Sequence, residues 1–129
     1  MGLSDGHITA TVAVSDMTRA TEFYEDTLGL SGGVDQGDGG RTYTCGGGTR
    51  LHVYPSPDNA GKSEATLAAF TVDDVEQTVD ELTAKGVTFE QYGEPINTDE
   101  RGIARFIEGD LLGAWFKDPD GNTLAVSNV

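Results

Sequence analysis

An internal repeat limits what this chain can fold into more than any other feature. The segment TVAVSDMTRATEFYEDTLGL from Thr11 aligns with AFTVDDVEQTVDELTAKGV from Ala69 at a constant offset of 58 positions. Val12 corresponds to Phe70, Val14 to Val72, Asp16 to Asp74, Met17 to Val75 and Tyr24 to Leu82. Each copy opens with apolar residues at every second position, the pattern of a strand with one buried face. An aspartate follows, placed to accept hydrogen bonds from the free N–H groups that begin a helix. Apolar residues then recur every three or four positions, Met17, Ala20, Tyr24 and Leu28 in one copy and Val75, Val79 and Leu82 in the other, which predicts one helix per copy. Gly29 and Gly86 supply the positive φ that ends each helix.

After each helix the period returns to two. The strands expected are near 30–35, 40–45 and 49–55 in the first copy, and near 87–91, 102–108, 111–117 and 122–128 in the second, the last two forming a hairpin. Between the copies PSPDNAGKSE is polar, carries two prolines and has no period, so it reads as a linker. The 129 residues suit one domain, with module 1 at about 7–56, a linker at about 57–64 and module 2 at about 65–129.

Eight basic against 22 acidic residues leave a net charge of −14, which repels nucleic acid and anionic membranes alike. No apolar run approaches the roughly 20 residues of a membrane span, and the N-terminus lacks a basic region followed by an apolar one, so a cytoplasmic protein is expected. Cys45 is the sole cysteine; it has no partner for an internal disulfide and reads as a small buried apolar group. SGGVDQGDGG and CGGG lack phosphate-loop spacing and read as turns. AWFKDPDGNTLAV contains the beginning of a calcium loop but neither its full order of acidic ligands nor its closing glutamate. It is a turn instead: Pro119 fixes φ, Gly121 takes positive φ, and Asp118 and Asn122 bond nearby N–H groups.

VAVSDMTRATEFYEDTLGL at the front, with its Phe23-Tyr24 pair and Leu28-Gly29 exit, FTVDDVEQTVDELTAKGV in the middle and the Asp118-Pro119-Asp120-Gly121-Asn122 turn at the back resemble the vicinal oxygen chelate superfamily. That superfamily includes glyoxalase I, extradiol dioxygenases and bleomycin-resistance proteins, and the resemblance covers nearly the whole chain. It implies an α+β fold of two βαβββ modules, whose mixed sheets curl around a shared concave cavity with the helices on the outer face. It also implies a homodimer.

With helices on one side of each sheet, alternation sends Leu51, Val53, Ala68, Phe70, Val72, Leu124 and Val126 to the core. Arg50, His52, Tyr54, Leu67, Ala69, Thr71, Thr123, Ala125 and Ser127 then face the cavity. The metal-dependent relatives place ligands at four inward positions, which correspond to Thr9, His52, Leu67 and Ala125. Of these His52 alone can ligate, and a catalytic divalent site takes about three protein ligands. His7 lies two residues before Thr9, about 6.6 Å along a strand, too far to substitute. Glu108 and Asp110 lie near a strand end and read as rim carboxylates. No metal and no other cofactor is therefore expected.

The function these readings favour is metal-independent binding of a small metabolite or antibiotic, with no catalysis, in an antibiotic-resistance-like role. The ligand contacts expected are Thr9, Arg50, His52, Tyr54, Leu67, Ala69, Thr71, Trp115, Thr123 and Ala125. Trp115 offers the largest flat surface for stacking, unless it belongs to the core and its neighbour Phe116 takes the open face. The alternative is an acid–base isomerase or lyase with His52 as its catalytic group. A metal-dependent lyase or dioxygenase needs ligands the chain lacks. Residues 94–110 read as a surface loop, or as a flap over the pocket.

Overall fold

The computed structural model describes residues 2–35, 37–106 and 109–129. The chain divides into two compact units, Met1–Lys62 and Ser63–Val129. In the first, β1 (Thr9–Val14) leads into α1 (Met17–Thr21), which continues as a π-helical turn over Glu22–Thr27. β2 (Ser31–Asp35), β3 (Arg41–Thr44) and β4 (Arg50–Pro55) complete a sheet of order β1-β4-β3-β2. The second unit repeats this plan with β5 (Thr66–Thr71), α2 (Val75–Ala84), β6 (Ile103–Phe106), β7 (Leu111–Lys117) and β8 (Thr123–Ser127), in the order β5-β8-β7-β6. In both, the strand before the helix pairs in parallel with the last strand and the remaining pairs are antiparallel. This is the two-module α+β arrangement expected from the repeat.

The aspartates cap as their positions predict. Asp16 accepts from the backbone N–H groups of Thr18 and Arg19 at 3.0 and 3.2 Å, and Asp74 from that of Gln77 at 3.0 Å. Gly29 and Gly86 take φ of 77° and 98° beyond the helices. Each sheet buries one face. In the first, Val12, Val14, Tyr43, Leu51 and Val53 are buried with Ala20 and Tyr24; in the second, Ile103, Ala114, Phe116, Leu124 and Val126 are buried with Val75 and Val79 of α2. Full burial of one such side chain contributes about 1.5–3 kcal/mol, so these two sets hold the units together.

Two expectations need correction. The run at 87–91 is not a strand: it makes a single bridge, Phe89 to Phe116, with the Glu90 N–H donating to the Trp115 carbonyl at 2.8 Å. β6 occupies that edge of β7 from Leu111 to Ala114, so only the last residues of β7 are free to pair with it. The first helix does not stay α-helical to Leu28, because its second half widens to i→i+5 bonding, with the Leu28 N–H donating to the Phe23 carbonyl at 2.9 Å. Apolar spacing carries no signal for that widening. It leaves Tyr24 buried and Glu25 accepting from the Tyr43 hydroxyl at 2.9 Å and from Arg41 Nε at 2.8 Å.

The DPDGN turn forms around a buried carboxylate. Asp118 Oδ1 accepts from the backbone N–H groups of Asp120 and Asn122 at 3.0 and 2.9 Å, and its Oδ2 from the Asn122 side-chain amide at 2.9 Å. Asp118 and Asn122 are 5% and 2% exposed, so the turn is an internal polar knot and not a cation loop open to solvent.

Candidate functional site

Strand register decides which side chains share the helix-free face of each sheet, because paired residues project to the same side. In the first sheet Thr9 pairs with Arg50, Thr11 with His52 and Ala13 with Tyr54 across β1 and β4. Thr42 pairs with His52 and Thr44 with Arg50 across β3 and β4. Thr9, Thr11, Thr42, Arg50 and His52 line an open depression of about 270 Å³ on this face. Of these five, alternation had placed Arg50 and His52 there, and Thr9 came from the family resemblance.

His52 is held from both sides. Its Nδ1 lies 2.8 Å from Thr42 Oγ1 and its Nε2 2.9 Å from Asp38 Oδ2. A carboxylate only accepts, so Nε2 carries a proton. In the neutral ring Nδ1 then accepts from the Thr42 hydroxyl, which leaves the Thr42 oxygen lone pairs to face outward. His52 hydrogen bonding, helped by the Gly40 backbone N–H, holds the Asp38 carboxyl below its ordinary 3.8. Gly40 is required here: a Cβ on it would lie 2.5 Å from the Val53 carbonyl oxygen, 2.9 Å from Asp38 Oδ1 and 3.0 Å from His52 Cε1. The Tyr54 ring lies parallel to that of His52 at 5.7 Å.

Asp38, Thr11 and Thr42 were missed by sequence reasoning. Asp38 sits in the glycine-rich stretch read only as a turn, and its reach to His52 depends on the β2–β3 connection, which leaves no local signal. Thr42 could have been found by extending alternation to β3, and Thr11 by extending it one pair along β1.

In the second sheet Ala69 and Trp115 both pair with Ala125, Thr71 and Gly113 with Ser127, and Lys117 with Thr123. These residues share the helix-free face. Trp115 is half-buried and meets Tyr92 edge-to-face at 5.6 Å, while Phe116 is 1% exposed on the opposite, helix-covered face. Thr123 and Ala125 are buried, and Lys117 Nζ donates to Thr123 Oγ1 at 3.4 Å. Leu67, half-buried, falls at an irregularity between Thr66 and Ala68 and takes no register partner. Residues 94–110 contain β6 and are tied to α2: Arg101 bonds Glu76 and Asp80 at 2.9 Å each, and Arg105 reaches Glu76 at 3.4 Å. These pairs join the described part of the segment to α2; Glu108 lies outside the described residues. Cys45 is half-buried rather than fully enclosed, and burial pushes its thiol pKa up.

Of the positions the resemblance implies for metal ligands, the first unit holds a hydroxyl at Thr9 and a ring engaged at both nitrogens at His52, and the second holds hydrocarbon at Leu67 and Ala125. His7 is exposed beside Gly48, where an added Cβ would lie 3.1 Å from the imidazole. Among the described residues no three His, Cys, Asp or Glu side chains converge. These donors do not fit a catalytic divalent cation. Among the described residues no helix is long and apolar enough to cross a membrane.

A family model described as Glyoxalase/Bleomycin resistance protein/Dioxygenase superfamily matches residues 6–126. The fold is similar to that of a glyoxalase/bleomycin resistance protein from Catenulispora acidiphila DSM 44928, with 23% identity, TM-score 0.70, and 95% of this chain and 97% of that one covered. It is similar to TnmS3, an antibiotic binding protein from Streptomyces sp. CB03234, with 24% identity, TM-score 0.66, and 98% and 96% covered. A lactoylglutathione lyase from Agrobacterium tumefaciens matches with 18% identity, TM-score 0.69, and 95% and 92% covered. At these identities the likeness establishes the fold and leaves the ligand open.

Proposed function

The chain belongs to the glyoxalase/bleomycin resistance protein/dioxygenase superfamily, and from that premise we propose that it binds a small molecule without the help of a metal ion. The observation that carries this reading is the depression on the open face of the first sheet, where five polar side chains stand on rigid strands. Concave sites with a few placed polar groups are the ordinary form of small-molecule sites, and about 270 Å³ lies just under their usual range, which favours a small ligand or one fragment of a larger one. The described antibiotic-binding role of TnmS3 supports the same class of function. A homodimer in the cytoplasm completes the proposal.

Thermal unfolding with a panel of aromatic metabolites and antibiotics tests it, since a ligand of the folded state raises the melting temperature. A stabilising compound whose effect disappears in His52→Ala supports the reading; no stabilisation across the panel counts against it. The same assay with Ni²⁺, Zn²⁺, Mn²⁺ or Fe²⁺ is expected to give no rise, and a large rise that requires His52 would overturn metal independence. The fluorescence of Trp115, the sole tryptophan, reports whether a ligand reaches the open face of the second sheet.

The Asp38–His52–Thr42 chain favours acid–base chemistry as a second reading. An imidazole fixed by a carboxylate on one nitrogen can pass a proton at the other. Turnover of a bound compound that is lost in His52→Ala while binding persists would select this reading over the first.

A further inference from the structure

We propose that the open face of the first sheet binds a small organic carboxylate, with Arg50 as its counter-ion and the hydroxyls of Thr9 and Thr11 as further donors. This rests on the small-molecule reading above and names the ligand's charge.

Four of the chain's five arginines are engaged by neighbouring side chains. Arg41 pairs with Glu25, Arg101 with Glu76 and Asp80, and Arg105 with Glu76 and Asp99, while Arg19 bonds Ser15. Among the described residues Arg50 is the one arginine whose side chain has no hydrogen-bond or ion-pair partner. Among the described residues Lys62 and Lys85 also lack an ion-pair partner, but neither lines the depression, so the place of Arg50 on the open sheet face is what sets it apart. Arg50 also stands on the open sheet face as one of the five residues lining the depression, and none of those five is acidic. Its guanidinium presents paired N–H donors in the fork that matches a carboxylate.

The nearest placed carboxylate does not fill the role. Asp38 Oδ2 is held by His52 Nε2 and Oδ1 by the Gly40 N–H. Asp38 also lies toward the opposite end of β4, since Arg41 already pairs with Val53 and Gly39 comes within 3.2 Å of Pro55 at the Cβ position. Arg50 and His52 are separated by two residues of strand, about 6.6 Å. The Thr42 hydroxyl is engaged with His52 Nδ1, so the hydroxyl donors left for an anion are Thr9 and Thr11, which pair with Arg50 and His52 in register. The parallel rings of His52 and Tyr54 offer flat surface for an aromatic body next to the charge.

The net charge of −14 works against any loosely held anion and in favour of cations. Three probes of one shape and different charge therefore separate the possibilities: benzoate, neutral benzamide and cationic benzylamine. Amide chemical shifts of Thr9, Thr11, Arg50 and His52 are followed in titrations of the full chain. Benzoate is expected to bind about tenfold or more tighter than benzamide, the range for a charge-assisted bidentate pair, with benzylamine weakest. In Arg50→Gln the preference for benzoate over benzamide disappears; Arg50→Lys retains part of it. Equal binding of benzoate and benzamide at these residues overturns the carboxylate and leaves the small-molecule reading standing, as does a preference for benzylamine. If none of the three moves these amides, the carboxylate proposal fails, and the thermal panel decides the broader reading independently.

Discussion

The two modules have one topology and two different open faces. On the helix-covered side both sheets bury aliphatic and aromatic residues of matching kinds, Val12, Val14, Leu51 and Val53 in one and Phe70, Leu124 and Val126 in the other, with Phe70 the least enclosed. On the other side the first sheet carries threonines, Arg50 and a braced His52, whereas the second combines Thr71, Thr123, Ser127 and Lys117 with Ala69, Gly113, Ala125 and a half-buried Trp115. The difference shows which constraints a duplicated fold retains. Packing under a helix tolerates little change in volume, so the core faces keep their character. The other face is constrained by what it binds, and it is free to diverge between copies.

The largest expected effect contrasts neighbours on β7. Phe116→Ala removes a ring from the core face and should destabilise by about 3–5 kcal/mol in urea unfolding. Trp115→Ala, on the open face, should cost under about 2 kcal/mol. Equal losses would mean that the two faces are not distinct in the way their burial implies.

Asp118→Ala comes next, at about 2–3 kcal/mol, because it strands the buried Asn122 amide and two backbone N–H groups together. The glycine turn at Gly46–Gly48 in the corresponding β3–β4 connection has no such knot, and Gly46→Ala should change stability by less than about 1 kcal/mol. A neutral Asp118→Ala would show that the turn's order comes from Pro119 and Gly121 alone.

The two helix caps sharpen the comparison at smaller scale. Asp16→Ala and Asp74→Ala should each cost about 1 kcal/mol, with the larger loss at Asp16, which satisfies two N–H groups where Asp74 satisfies one. The reverse order would place the difference in the π-helical continuation rather than the cap.

The smallest effect is local to the first open face. The Asp38 carboxyl is held below its ordinary 3.8, chiefly by the hydrogen bond from His52. A lowered folded value means that its contribution is fully present above the ordinary value and is lost as the pH falls through the folded one. Carboxyl NMR should give a midpoint below 3.8 that rises in His52→Ala; a midpoint that does not move would sever the Asp38–His52 link.

Much of this could be read in advance. The offset between Asp16 and Asp74 announced the duplication, and the caps, the terminating glycines and the alternation in β4 each depend on residues a few positions apart, where local periodicity and backbone chemistry act. The same alternation placed Arg50 and His52 on one face. It failed for the π-helical turn after Thr21 and for the lone bridge at Phe89, because each is decided by a neighbour distant in sequence: Tyr43 and Arg41 against Glu25 in the first case, β6 against β7 in the second.

Residue order alone settles the duplicated strand–helix–strand plan, the capping aspartates and terminating glycines, and the buried faces of β1, β4 and β8. All of these follow from side-chain type at fixed spacing. The Asp38–His52–Thr42 chain, the close approach that only Gly40 permits and the unpaired guanidinium of Arg50 come from tertiary structure. Hydrogen bonds and ion pairs act over about 3 Å, and only the folded chain brings residues from different strands and loops within that reach.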